Sequence, residues 1–572
     1  MKFLIKKIYI ILVLFTLFLP KPEASANQSK SEHTKKNISN YFLGIIATNQ
    51  NYNEQAFKHL SKIQLLKSTH SQFNTEFIKV LVLLEKYDQA FTFSKSVWNE
   101  NEYFFAADLL LGLDLFIKGD YLNAEKYFKR LNNPYQPDVF FEDFIGNILV
   151  AWTKAALGNK EGGFKTLEKI PSPYNHLTKT QNVLMKCYFD NDNTQKSFLN
   201  LINDKDYNFS RYNFFLINYL LFKNKKVEAK KLIIDSREKN SSNLLLEQTE
   251  IFFLEKDYKK IKDFFDCKNP KDSLAEFFYI MANLFASEKN YQLSNFYLKI
   301  SIFLNDKFLS NKALLAENFY YQGKNKLSKN VYNSIKSIGR AYSWYSSKSI
   351  ATILVNEKGK KYSLKKLKKD FNSISNPNYK KYYELANFYK DQEYYKESIK
   401  YYSLALKKIK KNHFLIPKIL DRRGTSYEQL GDWDSAEKDL IESLKILPDQ
   451  PHVLNYLAYT WVDKGINLDK SLEMLIKASQ LRQNDGYIID SLGWAYYAKR
   501  NYVEAEKLLK RAVELMPTDP VINDHYGDTL WMLNKTIQAR YFWNSILKID
   551  STKQELKDNI NKKLIFGTSI NY

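Results

Sequence analysis

Small and apolar side chains recur every 34 residues near the carboxyl end of the chain. Small residues at positions 8 and 20 of this unit would let two helices approach closely, and large apolar residues would fill the layer to the next unit. Proline at position 32 would end the second helix. The spacing predicts tandem helix–turn–helix repeats, with Trp543 in the core. The pattern is carried by Leu492, Gly493, Tyr496, Ala505, Leu509, Ala512 and Pro517, and again by Gly527, Leu530, Ala539, Trp543 and Ile546.

The same spacing extends over most of the chain. Units begin at residues 37, 71 and 105 within 37–138, and 139–274 follows the pattern loosely. The pattern returns in 275–416 and is clearest in 417–553, while 554–572 suits a capping helix and a short tail. We therefore expect an all-α superhelical solenoid of roughly fifteen helix pairs. Any break in it is expected in the loosely matching middle.

The first 26 residues have the pattern of a secretory signal. A lysine-containing start precedes an apolar run over 8–19, and residues 24–26 form an A-x-A cleavage site. That run is short for a membrane span, although an uncleaved anchor is the alternative. No cysteine lies near the site, so a lipoprotein is not expected. The sequence predicts an exported, periplasmic protein cut after Ala26, with 27–36 as a flexible lead-in.

The net charge of +23 is unevenly distributed. Residues 343–416 carry 17 lysines against 6 acidic residues, whereas 417–553 carry 18 basic against 20 acidic residues. Solvated lysine-rich helix faces would explain this. The alternative is a surface for an anionic partner such as membrane lipid or an acidic glycan. Nucleic acid is not expected, because no motif for it is present and the export signal argues against it.

The cysteines and the sequence motifs give no sign of a catalytic or metal site. Cys187 and Cys267 could pair in an oxidising compartment. Their separation of 80 residues is too long for adjacent helices without curvature, so we expect two buried free thiols. The chain lacks metal-type cysteine spacing, a phosphate-binding glycine loop, HExxH and G-x-S-x-G, and its seven histidines are scattered. The sequence therefore indicates no enzyme, no cofactor and no metal.

The repeating residues resemble the tetratricopeptide (TPR) repeat. The stretch 490–531 resembles, more specifically, a group of proteobacterial envelope TPR proteins. Some of these are outer-membrane lipoproteins that act as adaptors of a carboxyl-terminal processing protease. The lipobox cysteine of that group is missing here. The resemblance implies a non-catalytic scaffold or adaptor that binds protein partners and could present substrates to an envelope protease.

In the TPR family, positions 2, 5, 9, 12 and 13 of the first helix line a concave groove where partners bind. In 417–553 these positions are acidic and aromatic, which suits a basic or hydroxyl-rich partner segment. The Lys and Asn that clamp a carboxyl terminus in one TPR subclass are absent, so an acidic tail is not expected. Aspartate at position 5 could instead serve only the helix dipole, and Trp494 could pack on a neighbouring helix. The predicted groove residues are Asp421, Asn455, Tyr459, Tyr487, Asp490, Trp494, Tyr497, Asp524, Asp528 and Trp531.

Overall fold

The computed structural model describes residues 34–132, 142–240, 242–308 and 310–568. The predicted signal and most of the lead-in lie outside these ranges. Within them the regular structure consists of 31 α-helices and three 3₁₀ helices, without strands. None of the described helices is both long and apolar enough to cross a membrane. The fold is all-α, as predicted.

The chain divides into two compact units, Met1–Glu357 and Lys358–Tyr572, which are called unit 1 and unit 2. In unit 1, successive helices pack as helix–turn–helix pairs, followed by the single helix α19. The 3₁₀ helices are Ser61–Ser68, Ser172–Tyr174 and Lys336–Ile338. The α-helices are α1 Lys35–Asn49, α2 Asn53–Leu60, α3 Ser71–Leu83, α4 Tyr87–Val97, α5 Phe105–Lys118, α6 Tyr121–Arg130, α7 Glu142–Ala156, α8 Lys160–Leu167, α9 Asn175–Tyr188, α10 Thr194–Ile202, α11 Tyr212–Phe222, α12 Lys226–Lys239, α13 Leu244–Leu254, α14 Tyr258–Phe264, α15 Pro270–Ser287, α16 Tyr291–Leu304, α17 Ser310–Tyr321, α18 Asn325–Ile335 and α19 Arg340–Lys358.

Unit 2 contains the clearest repeats. It begins with the single helix α20, continues with five pairs from α21 to α30, and ends with α31. The first helix of each pair is called helix A and the second helix B. The helices are α20 Lys360–Asn372, α21 Tyr379–Asp391, α22 Tyr395–Lys408, α23 Ile416–Glu428, α24 Trp433–Ile446, α25 Pro451–Asp463, α26 Leu468–Leu481, α27 Gly486–Ala498, α28 Tyr502–Leu515, α29 Pro520–Met532, α30 Thr536–Ile546 and α31 Gln554–Phe566.

Close packing within each pair follows the predicted spacing. A Cβ atom on Gly493 would lie 2.7 Å from Cγ of Leu509, sixteen positions later, which is too close for both to fit. Gly527 faces Trp543 in the same way, and Trp543 is fully buried as predicted. Glycine at position 8 therefore makes room for the large residue at position 24.

Unit 1 folds back on itself. The Tyr87 hydroxyl donates to the Lys299 carbonyl at 2.8 Å, and its ring stacks on Phe303 with centroids 4.0 Å apart. The Gln292 amide donates to the carbonyl of Thr48 at 3.0 Å. The first two repeats thus contact α16, in the eighth pair, and one hydrophobic core runs from Ala47 to Leu315.

The expectation of two free thiols was wrong. Cys187, on α9, and Cys267, between α14 and α15, form a disulfide with their Cα atoms 5.8 Å apart. Repeat counting treats the chain as a straight stack, in which 80 residues would separate them widely. In the structure α15 also packs on α7 and α9, as well as on its partner α16. That fold-back brings the two cysteines together.

The division between units does not fall in 139–274. That stretch continues as regular helix pairs from α7 to α14 over its described residues. The boundary lies instead at Glu357 and Lys358, inside the predicted lysine-rich segment. The degenerate middle keeps its packing because bulky aromatic residues such as Phe214 and Phe264 fill the space between helices.

Candidate partner-binding groove

The predicted groove residues of unit 2 differ widely in exposure. Tyr487 is 53% exposed, and Asn455, Tyr459 and Trp531 are half-buried. The remaining six are at least nine-tenths buried, so neighbouring side chains cover most of their surface. These six are Asp421, Asp490, Trp494, Tyr497, Asp524 and Asp528.

Each aspartate at position 5 meets a basic group from the next helix A. Asp421 accepts from Nε2 of His452 at 3.1 Å. Asp490 pairs with Nδ1 of His525 at 2.9 Å. Asp524 pairs with Nζ of Lys563, on α31, at 2.7 Å. These carboxylates link consecutive repeats, which is a more specific role than favouring the helix dipole.

The fourth residue at position 5, Asn455, has no basic partner from the next repeat. Asn455 carries no charge, and its buried Oδ1 has no hydrogen-bond partner within the described residues. The facing helix α27 presents Tyr487 and Ser491 on the corresponding turns and no basic side chain. In these four repeats, position 5 is acidic where a basic side chain from the helix that follows its pair contacts it, and it is neutral at Asn455, where none does.

Aromatic side chains fill the groove beside His525. The Trp494 indole stacks on the His525 imidazole with centroids 4.0 Å apart, and on Tyr497 at 4.4 Å. Tyr459, from the repeat before, lies 6.3 Å from His525 on the other side. Burial is the largest single influence on the pKa of His525 and lowers it, but the carboxylates of Asp490, Asp524 and Asp528 together raise it by more, so the pKa lies above its ordinary value.

Lys563 closes the groove at the last repeat. Besides Asp524, its amine binds Asp528 at 2.8 Å, and Asp528 also accepts from Nε1 of Trp543 at 3.1 Å. Burial, aided by Asp524, raises the pKa of Asp528 to about 6. Trp531 lies 5.5 Å from the Trp543 ring. The carboxyl-terminal part of the predicted groove is thus occupied by the chain's own side chains.

An open cleft lies at the other end of the predicted groove. It measures about 760 Å³ and is formed by the end of α21, helix α23 and the start of α25. One residue of the predicted groove set, Asp421, lines this cleft. Thr425 and His452, at positions 9 and 2 of their repeats, line it as well. The lining includes Lys390, Phe414, Lys418, Asp421, Arg422, Thr425, Leu447 and His452.

The cleft combines apolar contact area with charges of both signs, because Asp391 and Asp449 line it beside Lys390, Lys418 and Arg422. Phe414 is 58% exposed, and Leu447 is about half exposed. Asp421 is hydrogen-bonded to His452 and Asp449 pairs with Lys477, whereas neither Lys390 nor Lys418 forms an ion pair within the described part of the chain. This arrangement suits an extended segment with an apolar side chain against Phe414 and Leu447 and an acidic side chain near Lys418.

Sequence reasoning missed Phe414 and Leu447. Both belong to connections between repeats, whereas the family's groove positions all lie on helix A. The signal available was their position in the sequence, because large apolar residues are uncommon in solvated turns. Only the structure shows that both connections face the same cleft.

No group of three or more His, Cys, Asp or Glu side chains suited to a metal ion occurs within 34–568, apart from the gaps in the described ranges.

Comparison with known proteins supports the repeat assignment. Residues 488–519 match the tetratricopeptide repeat family model. The TPR repeat-containing protein PA4667 of Pseudomonas aeruginosa is 32% identical over 110 residues, which is 19% of this chain and 18% of that protein. The chain therefore spans less than a fifth of that relative's length.

Solved structures match this chain only at low similarity. A tetratricopeptide repeat protein from Parabacteroides merdae is 18% identical, with a TM-score of 0.33, over 38% of this chain and 86% of that one. The Cut9–Hcn1 hetero-tetramer of APC/C is 13% identical, with a TM-score of 0.35, over 93% and 97%. These values carry no inference about partners.

The repeat type follows from the chain's own helices. One repeat matches the family model, and neighbouring pairs place glycine at position 8 against a large residue at position 24, as at Gly424, Gly493 and Gly527. TPR proteins mediate protein–protein interaction. Residues 488–519 are a tetratricopeptide repeat, and this chain is an all-α solenoid of repeated helix pairs of that kind.

Proposed function

We propose that this chain is a non-catalytic scaffold or adaptor that is exported to the periplasm and binds a protein partner through unit 2. The cleft between α21 and α25 carries the proposal, because it is the part of the predicted groove that remains open. Phe414 and Leu447 offer apolar contact, and Lys418 offers an unpaired charge at its edge. The partner segment is expected to be extended, with an apolar side chain next to acidic ones.

The adaptor role is the finer part of this proposal. It rests on the resemblance of 490–531 to envelope TPR proteins and on the signal pattern of residues 1–26. On this proposal the chain holds a substrate segment in the cleft and presents it to a carboxyl-terminal processing protease. The chain itself supplies no catalytic group.

A pull-down from envelope extract tests the cleft. Residues 27–572 serve as bait, beside a cleft variant with Phe414→Ser and Lys418→Glu. The matched control carries Ile537→Ser and Lys510→Glu, because both of its residues are exposed and lie outside the cleft. Trp494 and Asp490 are unsuitable, since substitution there would damage buried packing.

The expected result is a protein, above all a protease or its substrate, that wild type and control retain and the cleft variant loses. Retention should persist from low to physiological salt, because the apolar contacts are not screened. Equal retention by the cleft variant would show that the cleft is not the binding site.

The exposed face of α20 favours a second candidate function, binding to an anionic envelope surface. Leu364, Leu367 and Phe371 are buried on one side of this helix. The other side presents four exposed lysines, and none of the four forms an ion pair within the described residues. They are Lys361, Lys365, Lys368 and Lys369. A row of like charges suits anionic lipid or an acidic glycan.

Co-sedimentation with vesicles tests this second candidate. Wild type should bind vesicles rich in phosphatidylglycerol at low salt and release them at physiological salt. Lys361→Gln, Lys365→Gln and Lys368→Gln together should abolish binding. The control Lys230→Gln, Lys231→Gln and Lys239→Gln removes three exposed lysines from α12 and should bind like wild type. Equal loss in both variants would indicate net charge rather than the α20 face.

A further inference from the structure

The first helix of unit 1 has apolar side chains on its outward face. Ile38, Phe42 and Ile46 follow at intervals of four residues, and Leu43 lies beside them. Each of the four is between 45% and 58% exposed. Residues four apart share one face of a helix, so they form a continuous stripe along α1.

The inward face of α1 is already used. Gly44 and Ala47 are buried, and a Cβ on Gly44 would collide with Leu60 of α2. A helix that is apolar on both faces is normally buried on both. The first helix of a repeat array usually has a polar outer face for solubility. The stripe on α1 therefore indicates a surface that is covered in use.

The charges on α1 limit what can cover it. Its only charged side chains are Lys35 and Lys36, at the start of the helix, and it has no acidic residue. The preceding stretch 27–33 is polar in sequence, and so does not supply an apolar cover. The stripe itself is uncharged along its length, which suits another stripe of the same kind.

We propose that two copies of this chain associate through α1, with the two helices antiparallel. A parallel arrangement would place the lysines of both copies together. The antiparallel one places Lys35 and Lys36 beside the carboxyl end of the other α1, where helix carbonyls favour positive charge. The two-fold symmetry makes the same surface serve both copies. This proposal does not depend on the cleft of unit 2.

The spacing of the stripe fixes the register. Phe42 lies midway between Ile38 and Ile46, so an antiparallel pair centred on the stripe places Phe42 at the two-fold axis. Ile38 then faces the partner's Ile46, and Lys35 faces the partner's Asn49. The geometry predicts a different crosslinking partner for each position.

Light scattering after gel filtration tests the association. Residues 27–572 should have twice the mass of one chain at high concentration and move toward a single chain on dilution. Phe42→Ser with Ile46→Ser should have the single-chain mass at every concentration. The control Val227→Ser removes an exposed apolar side chain from α12 and should leave the mass unchanged. A single-chain mass for wild type throughout, or an unchanged mass for the α1 variant, would overturn the proposal.

Engineered cysteines test the register. The two native cysteines are already paired in a disulfide, so a new one reports on its own surroundings. Phe42→Cys should form a disulfide-linked dimer by itself. Asn49→Cys should crosslink only when mixed with Lys35→Cys. Crosslinking of Asn49→Cys with itself would show a parallel pair and overturn the antiparallel arrangement. Capture of a different protein by α1, with no self-association, would also overturn it.

Discussion

At the residue scale, position 8 and position 5 of the repeat have different roles. Glycine at position 8 makes room for a large residue at position 24, as at Gly493 with Leu509 and Gly527 with Trp543. Aspartate at position 5 pairs with a basic group from the helix that follows its pair, as at Asp490 with His525 and Asp524 with Lys563. The first relation concerns packing within a repeat, and the second concerns pairing between repeats.

Gly527→Ala should destabilise unit 2. The added methyl group would overlap the Trp543 indole, which is fully buried and donates to Asp528. Overpacking of this kind costs about 1–3 kcal/mol. Urea unfolding followed by tryptophan fluorescence measures the change. Gln538→Ala, on the exposed face of α30, is the control and should differ from wild type by less than about 0.5 kcal/mol. Equal stability of Gly527→Ala and wild type would contradict the packing argument.

The contribution of His525 should depend on pH. Its pKa in the folded protein lies above the ordinary value of 6.5, because the carboxylates of Asp490, Asp524 and Asp528 together outweigh burial. The stabilisation by the charged pair is therefore complete below pH 6.5 and is lost as the pH rises through the folded pKa. His525→Gln should cost about 2 kcal/mol at acidic pH and less at alkaline pH. Urea unfolding of both proteins across this range measures the difference, and a constant difference would contradict it.

At the element scale, α15 determines how unit 1 is packed. It pairs with α16 and also contacts α7 and α9 across the stack. Glu276, on α15, is fully buried and accepts two hydrogen bonds from Arg211, at 2.9 and 2.8 Å. The Cys187–Cys267 disulfide fixes the chain just before this helix begins.

Removing the disulfide should destabilise unit 1. The bond joins residues 80 apart, and the chain-entropy model gives about 4 kcal/mol for closing a loop of this length. Cys187→Ser with Cys267→Ser should therefore lower the denaturation midpoint of unit 1. Denaturation with and without reductant measures it, since reductant should shift the wild type and leave the variant unchanged. Peptide mapping that found both thiols free in native protein would contradict the pairing.

At the scale of the whole molecule, the two units are distinct. Unit 1 has a continuous core and contacts between its first repeats and α16. Unit 2 contains the open cleft and the network of paired groove residues. The connection between them is Lys358-Gly359-Lys360, in which all three residues are exposed.

Limited trypsin digestion should cut this connection first. Exposed backbone between compact units is the usual site of proteolytic nicking, and trypsin cleaves after lysine. Two lasting fragments are expected, one ending at Lys358 or Lys360 and the other beginning directly after it. Mass spectrometry identifies them. Digestion that begins inside either unit, without these fragments, would contradict the division.

The sequence alone determined the fold and its repeat. Glycine and large apolar residues at fixed spacing leave one way to pack two helices. The helix pairs that start near 37, 71 and 105, and the burial of Trp543, were therefore predictable from the spacing within each repeat. The helix-A positions also led to Asp421, Thr425 and His452 at the open cleft. The signal, the export and the partner class stay predictions, because no described residue bears on them.

Only the tertiary structure decided which residues of different repeats contact each other. Spacing describes each repeat with its neighbours, but the fold-back of α15 joins residues from distant repeats, and so paired Cys187 with Cys267. The same limit applies to charge. The sequence shows the acid at Asp490, whereas only the packed helices show that His525 from the next repeat neutralises it and that Trp494 fills the space beside it. Contacts between repeats depend on the curvature of the stack, which is set by all the packed side chains together.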